Sequence, residues 1–139
     1  MILSPIEIAT RGPGLVEITR EATRELPPRD GLLTLFVRHT SCSLLVQENA
    51  DPDVRRDLQA WAERFAPAIG HPSMEFVTHR AEGPDDMPAH IRAAHLPVSL
   101  SIPVEGGAPS LGTWQGLYLW EHRDRPHRRR IARHFAPDG

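Results

Sequence analysis

The stretch "LLTLFVRHTSCSLLVQENADPDVRRDL", Leu32 to Leu58, decides how the chain is read. "LLTLFVRHT" is short, apolar and β-rich, so it reads as a strand, and "SLLVQEN" reads as a second one. A helix is expected to follow. Asp51 can cap it, Pro52 suits its first position and Asp53 favours the positive end of its dipole. Val54, Leu58, Trp61 and Phe65 recur at helical spacing and are expected to pack into the core. The joint between the strands holds His39, Thr40, Ser41 and Cys42. By alternation His39 shares a side with Leu33, Leu35 and Val37. It is either a histidine capped by the following turn or a side chain aimed into a cleft. A tight hairpin of 32–39 with 43–48 would put Glu48 beside Leu33, roughly 20 Å from the turn at about 3.3 Å per residue. Glu48 and His39 could then meet only across a subunit boundary, or if the connection is not a hairpin.

Outward from this stretch, "LSPIEIAT" opens a strand, and a helix is expected over 17–26 before a Pro-Pro-Arg-Asp-Gly turn. A strand is expected at 75–79 and a short helix in "MPAHIRAAHL". "PVSLSIPVEGGAPSLGTWQGLYLWEH" reads as strand, Gly-Gly turn, strand, and "RRRIARHF" as a last strand. Two to three helices among six or seven strands suggest a single α+β domain over 1–139, with a largely antiparallel sheet. The strand at 112–122 has Trp114, Tyr118, Trp120 and His122 on one face and Leu117 and Leu119 on the other. Both faces are apolar. The second is expected to lie under a helix or in a subunit interface.

Composition narrows the function. The chain has 139 residues and a net charge of −2, so no basic footprint for nucleic acid is present. All 16 basic residues are arginine, which excludes a Schiff-base or P-loop lysine. One cysteine excludes an internal disulfide framework. No apolar run reaches the roughly 18 residues of a membrane span, and "MILSPIEIAT" lacks the pattern of a signal peptide. A cytoplasmic protein that binds neither nucleic acid nor membrane is expected.

Eight histidines in this length exceed what a scaffold needs. His79 and His90 flank "RAEGPDDMPA", which matches no HExxH helix. A Gly-Pro loop leading into a helix could still join these imidazoles to His39, giving three nitrogen ligands and one open position, the pattern of catalytic zinc. His90 lies four residues after Asp86. If the helix includes Asp86, both share one face and the carboxylate could orient the imidazole. Alternatively, Asp85 and Asp86 are simple helix-start carboxylates. Glu48 and Asn49 are an acid/base pair or strand-end polar groups feeding the Asp51 cap. Thr40, Ser41, Gly112, Thr113 and Gln115 are small donors at strand ends that could hold phosphate through hydroxyl and backbone N–H groups. Ser41 or Cys42 as a nucleophile with His39 lacks support, because neighbours on a strand point to opposite faces.

Three stretches, "HTSCSLLVQENADPDVRRDL", "HRAEGPDDMPAHIRAAHL" and "LGTWQGLYLWEHR", resemble in order and spacing the signatures of the YjbQ (UPF0047, secondary thiamine-phosphate synthase) family. The resemblance implies a compact α+β homotrimer with a mixed, mostly antiparallel sheet. It also implies a transferase that joins a hydroxymethylpyrimidine diphosphate to a thiazole phosphate. The family's motif histidines fall on His39, His79 and His90, and a divalent metal, zinc, is the implied ligand. Glu48, Glu82 and Asp86 are then expected as acid/base or supporting groups with His39 and His90. Thr40, Ser41, Asn49, Gly112, Thr113 and Gln115 are expected to orient the substrate. The rival readings are metal-assisted hydrolysis of a small substrate and a metal- or ligand-binding trimer without turnover.

Overall fold

The computed structural model describes residues 1–139. It has eight strands and three α-helices: β1 Ile2–Ala9, β2 Gly14–Glu17, α1 Thr19–Thr23, β3 Gly31–Val37, β4 Cys42–Glu48, α2 Pro52–Phe65, α3 Asp86–His95, β5 Ser99–Glu105, β6 Ala108–Pro109, β7 Gln115–Glu121 and β8 Arg128–Pro137. A five-stranded sheet runs in the order β1-β8-β3-β5-β6 and a three-stranded sheet in the order β2-β7-β4. Every ladder is antiparallel, so the expected mixed sheet is instead two antiparallel ones.

The hairpin suggested by the Leu32–Leu58 stretch does not form. β3 pairs with β5 and β8, while β4 pairs with β7. Residues 38–41 therefore cross from one sheet to the other. Alternation explains the packing. Leu33, Leu35 and Val37 of β3, Ile102 and Val104 of β5, and Ile131 and Phe135 of β8 face Leu44 of β4 and Leu117 and Leu119 of β7 in one buried cluster. Burial of such side chains supplies roughly 1.5–3 kcal/mol each. The two inner faces also carry charge. β8 turns Arg129 and Arg133 inward with Ile131 and Phe135, and β7 turns Glu121 inward with Leu117 and Leu119. Arg133 donates to the carbonyls of Ser4 (2.8 Å), Ala22 (3.2 Å) and Arg24 (2.7 Å), so its buried donors are satisfied.

The outer face of β7 lies under α2, the first of the two alternatives for this strand. Arg55 Nη1 donates to Tyr118 Oη at 3.0 Å, and Trp120 Nε1 donates to Gln59 Oε1 at 2.8 Å. Trp114 lies just before the strand and is exposed. The Asp51 cap is as expected: its carboxylate accepts from the Asp53 backbone N–H at 2.9 Å.

Other expectations are corrected. The stripe on α2 is not all core. Trp61 and Phe65 are nearly half exposed, stacked on each other with centroids 5.1 Å apart, while Ala62 and Ala66 take the buried positions. A hydrophobic stripe wider than the surface it covers leaves its flank in water. The helix expected over 17–26 is only Thr19–Thr23, because "GLVE" before it forms β2 on the free edge of β7. Residues 75–79 form no strand; they follow a single 3₁₀ turn, Pro72–Met74.

Candidate metal site and its supports

α3 starts at Asp86, so Asp86 and His90 share a face one turn apart. The loop before α3 returns His79 to the same point. His79 Nε2 lies 2.8 Å, and His90 Nε2 3.1 Å, from Asp86 Oδ2. The ligand atoms of the three residues all fall within 4.8 Å of one another. Two imidazole nitrogens and one carboxylate oxygen, with the remaining directions open, form a donor set suited to zinc or ferrous iron. The carboxylate is oriented for this. Arg123 Nη1 donates to Asp86 Oδ1 at 2.7 Å, which leaves Oδ2 to the imidazoles. His90 is oriented as well, since its Nδ1 lies 2.9 Å from the Thr40 carbonyl. A carbonyl only accepts, so Nδ1 carries the proton and Nε2 faces Asp86.

Asp86 is almost completely buried. Burial alone would push its carboxyl pKa up. The hydrogen bond from His79, then the charges of His90 and Arg123, outweigh burial and hold it below the usual carboxylate range. Asp85 does not cap α3 through its side chain. Its Oδ2 accepts from Arg123 Nε and from the Asp124 backbone N–H, both at 2.9 Å. The pair Asp85–Asp86 is thus a clamp for Arg123 rather than a plain helix-start pair. Glu82 is exposed, with its carboxylate 3.9 Å from His79 Nε2.

Of the three imidazoles expected to converge, two do, and Asp86 joins them as a candidate ligand. His39 stays outside this group. Its Nε2 accepts the Arg130 backbone N–H at 2.7 Å. Burial, then the Arg129 charge, lowers its pKa and favours the neutral ring. His39 and His90 nevertheless line one cleft of about 350 Å³ with Thr40, Phe36, Val37 and Val98. The cleft is mostly apolar and has no arginine or lysine among its lining residues.

The remaining expected residues divide between two places. Ser41 is buried, and its carbonyl and hydroxyl accept from Arg129. Glu48, Asn49, Gly112, Thr113 and Gln115 sit at the other end of the β4–β7 ribbon. Cys42 faces Glu121 at one end and Glu48 faces Gln115 at the other, a separation of roughly 20 Å at about 3.3 Å per residue. There Glu48 Oε2 accepts the backbone N–H groups of Ala50 and Asp51, Gln115 Oε1 accepts that of Gly112, and Asn49 Nδ2 donates to the Gln115 carbonyl. Within one chain these residues shape a turn far from the imidazoles.

Sequence reasoning does not single out three supporting residues, Arg123, Glu121 and His122. His122 is buried beside α2, with Nε2 2.9 Å from Ser43 Oγ and Nδ1 without a partner. Burial, then the Arg92 charge, pushes its pKa down to about 3. The fold therefore requires the neutral ring. The unfolded chain takes up a proton near pH 6.5, so stability is complete above that value and is lost as pH falls toward 3. Between pH 7 and pH 5 the protein is expected to lose about 2 kcal/mol more than a His122→Gln variant. Urea unfolding at the two pH values measures this, and equal losses would refute it.

The architecture and this pocket define a class: a small α+β sandwich that presents a two-histidine, one-carboxylate group beside an apolar cleft. The chain belongs to the family described as UPF0047 protein YjbQ-like, whose family model matches residues 4–138. It is 51% identical over 108 residues to UPF0047 protein sll1880 of Synechocystis, covering 78% of this chain and 71% of that protein. It is 43% identical over 122 residues to UPF0047 protein YjbQ of Salmonella typhimurium, covering 85% of each. Its fold is similar to that of a conserved hypothetical protein from Thermus thermophilus, with TM-score 0.84, 34% identity and coverage of 96% of this chain and 100% of that one. It is also similar to an uncharacterized YjbQ/UPF0047 protein from Clostridium acetobutylicum, with TM-score 0.82, 29% identity and coverage of 96% and 100%. No helix is long and apolar enough to cross a membrane.

Proposed function

We propose that the chain is a metal-dependent enzyme whose centre is His79, Asp86 and His90. The observation that carries this reading is the meeting of both Nε2 atoms on one buried carboxylate oxygen, at the rim of a cleft sized for a small ring. A bound zinc or similar divalent cation would supply Lewis-acid neutralisation of charge developing on the substrate. The apolar wall of Phe36, Val37 and Val98 suits a flat heteroaromatic ring. The neutral His39 and the Thr40 hydroxyl would orient the ring's polar edge.

The reaction proposed is the one the motif resemblance implies. A thiazole nitrogen attacks the methylene of a hydroxymethylpyrimidine diphosphate, a C–N bond forms, the C–O bond breaks, and diphosphate leaves with the electron pair. The cleft lining holds no arginine or lysine for that anion, and Gly112, Thr113 and Gln115 are the candidate donors. Lying about 20 Å away, they would have to come from a neighbouring copy in a homotrimer. A second reading, hydrolysis of a small uncharged substrate, is favoured by the mostly apolar lining of the cleft, which holds no arginine or lysine.

The test supplies zinc-loaded protein with both fragments, then with the diphosphate alone. Thiamine phosphate that forms only with both supports coupling. Release of the alcohol from one fragment and water supports hydrolysis. No turnover of either kind, with zinc bound, leaves a binding protein. Mixing His90→Ala with Gln115→Ala copies is expected to restore part of the lost activity if two subunits build one site. Failure to do so places the whole site in one chain.

A further inference from the structure

The geometry points to Glu121 as the positioning residue for the candidate metal site, acting at once on both sides of it through Arg123 and Arg129. This rests on the metal reading of His79, Asp86 and His90. Glu121 is completely buried at the end of β7 and makes no hydrogen bond or ion pair with those three side chains. Its carboxylate is filled by five donors. Thr10 Oγ1 donates to Oε1 at 2.6 Å, and Arg129 Nε to the same oxygen at 2.8 Å. Arg129 Nη2 and the backbone N–H groups of His122 and Arg123 donate to Oε2, the latter two at 3.1 Å.

Each arm leads to the site by a short path. On one side the Glu121 carboxylate holds the Arg123 backbone. The Arg123 guanidinium then spreads over Asp85 Oδ2 (2.9 Å), Asp86 Oδ1 (2.7 Å) and the Glu82 carbonyl (3.2 Å). This fixes which oxygen of Asp86 faces the imidazoles. On the other side Arg129 donates to the Ser41 carbonyl at 3.2 Å and hydroxyl at 3.0 Å. That pins the 38–41 crossover, whose Thr40 carbonyl takes the Nδ1 proton of His90. The residue after Arg129 gives its N–H to His39. One carboxylate thus sets the orientation of Asp86, His90 and His39 together. Such outer partners are worth roughly 10–100-fold in metal affinity when removed.

Two variants test this, Glu121→Gln and Arg123→Met, with Arg123→Lys as the conservative partner. Arg123 lies at the surface edge of the network, so its replacement keeps the test usable if Glu121→Gln fails to fold. Zinc affinity is read by competition with a chelator. The Nδ1 proton of His90 is read in metal-free protein by nitrogen–proton correlation spectra. Zinc binding is expected to weaken about 10–100-fold in both variants, with unchanged circular dichroism. The His90 Nδ1 proton is expected to exchange slowly in the wild type and to be lost or broadened in both variants. Arg123→Lys should recover part of both signals. A folded variant that keeps wild-type zinc affinity and an intact Nδ1 resonance overturns the proposal. If the wild type takes up no zinc, the metal reading falls, and the His90 resonance alone decides whether Glu121 positions the ring.

Discussion

Replacing Asp86 with asparagine is expected to weaken zinc binding on the order of 10³-fold while leaving a folded chain. A structural zinc site binds with roughly 10–16 kcal/mol in total, which is about 4 kcal/mol for each of three or four ligands. Asparagine keeps the shape and an oxygen for Arg123, but removes the charge that joins both imidazoles. The pH response follows from the wild-type pKa. Because the Asp86 carboxyl is held below its ordinary value, its contribution is present above the usual carboxylate range and is lost as pH falls below that range, through the lowered value. Metal binding should also weaken in acid, since the imidazoles must shed their protons to bind. Competition against a chelator at pH 7.5 measures the loss of affinity, and urea unfolding of the wild type and the variant as pH falls from 5 to about 2.5 measures the loss of the carboxylate's contribution. An Asp86→Asn protein with wild-type affinity would remove Asp86 from the ligand set.

The second large effect is on stability. Arg129→Met leaves Glu121 ionised in the sandwich interior without its cation, and breaking a buried pair in this way costs about 3–5 kcal/mol. The sign of the pH dependence distinguishes this from a packing defect. In the wild type, burial pushes the Glu121 pKa up, but hydrogen bonds from Arg129 and then Thr10 bring it below the ordinary value. Without Arg129 the burial effect dominates and the folded-state pKa rises above the unfolded one. The variant's stability is then lost as pH rises through that raised value. The gap between the two proteins should therefore narrow as pH falls from 7.5 to 5, as followed by urea unfolding. A gap of the same size at both values would mean that lost packing, and not the stranded charge, is responsible. Glu121→Leu combined with Arg129→Met should recover much of the loss, because an apolar pair of similar volume carries no desolvation cost.

The parts of this molecule that could be read from the sequence are those governed by local rules. The α2 cap at Asp51, the β3 and β4 strands and the helix bearing His90 follow from spacing and end signals, and each forms. The meeting of His79 with His90, and the shared face of Asp86 and His90, were also legible. What local rules could not supply was partner choice. Two apolar runs four residues apart look like a hairpin, yet β3 and β4 belong to different sheets, β3 paired along both edges with β5 and β8 and β4 paired with β7. The separation of roughly 20 Å between Glu48 and the turn at His39, expected for a hairpin, holds along the β4–β7 ribbon instead. Glu121 and Arg123 stayed unseen for a related reason. A carboxylate at an inward position between apolar neighbours, like Arg129 in step with Ile131 and Phe135, signals a buried pair only when β7 and β8 are known to face each other.

The passage at 38–41 has one more consequence, for where the chain tolerates added length. An extra residue at the Gly106–Gly107 turn, where both glycines have positive φ, lengthens a loop between β5 and β6 and disturbs only that turn's hydrogen bonds to Arg29 and Asp30. The same residue between Val37 and Cys42 has no slack to absorb it. Either β4 slips by one place on β7 and turns Leu44 to the wrong side, or the bridge bulges and the Thr40 carbonyl leaves His90. Length variation is therefore expected at the rim of the sandwich and forbidden at its seam.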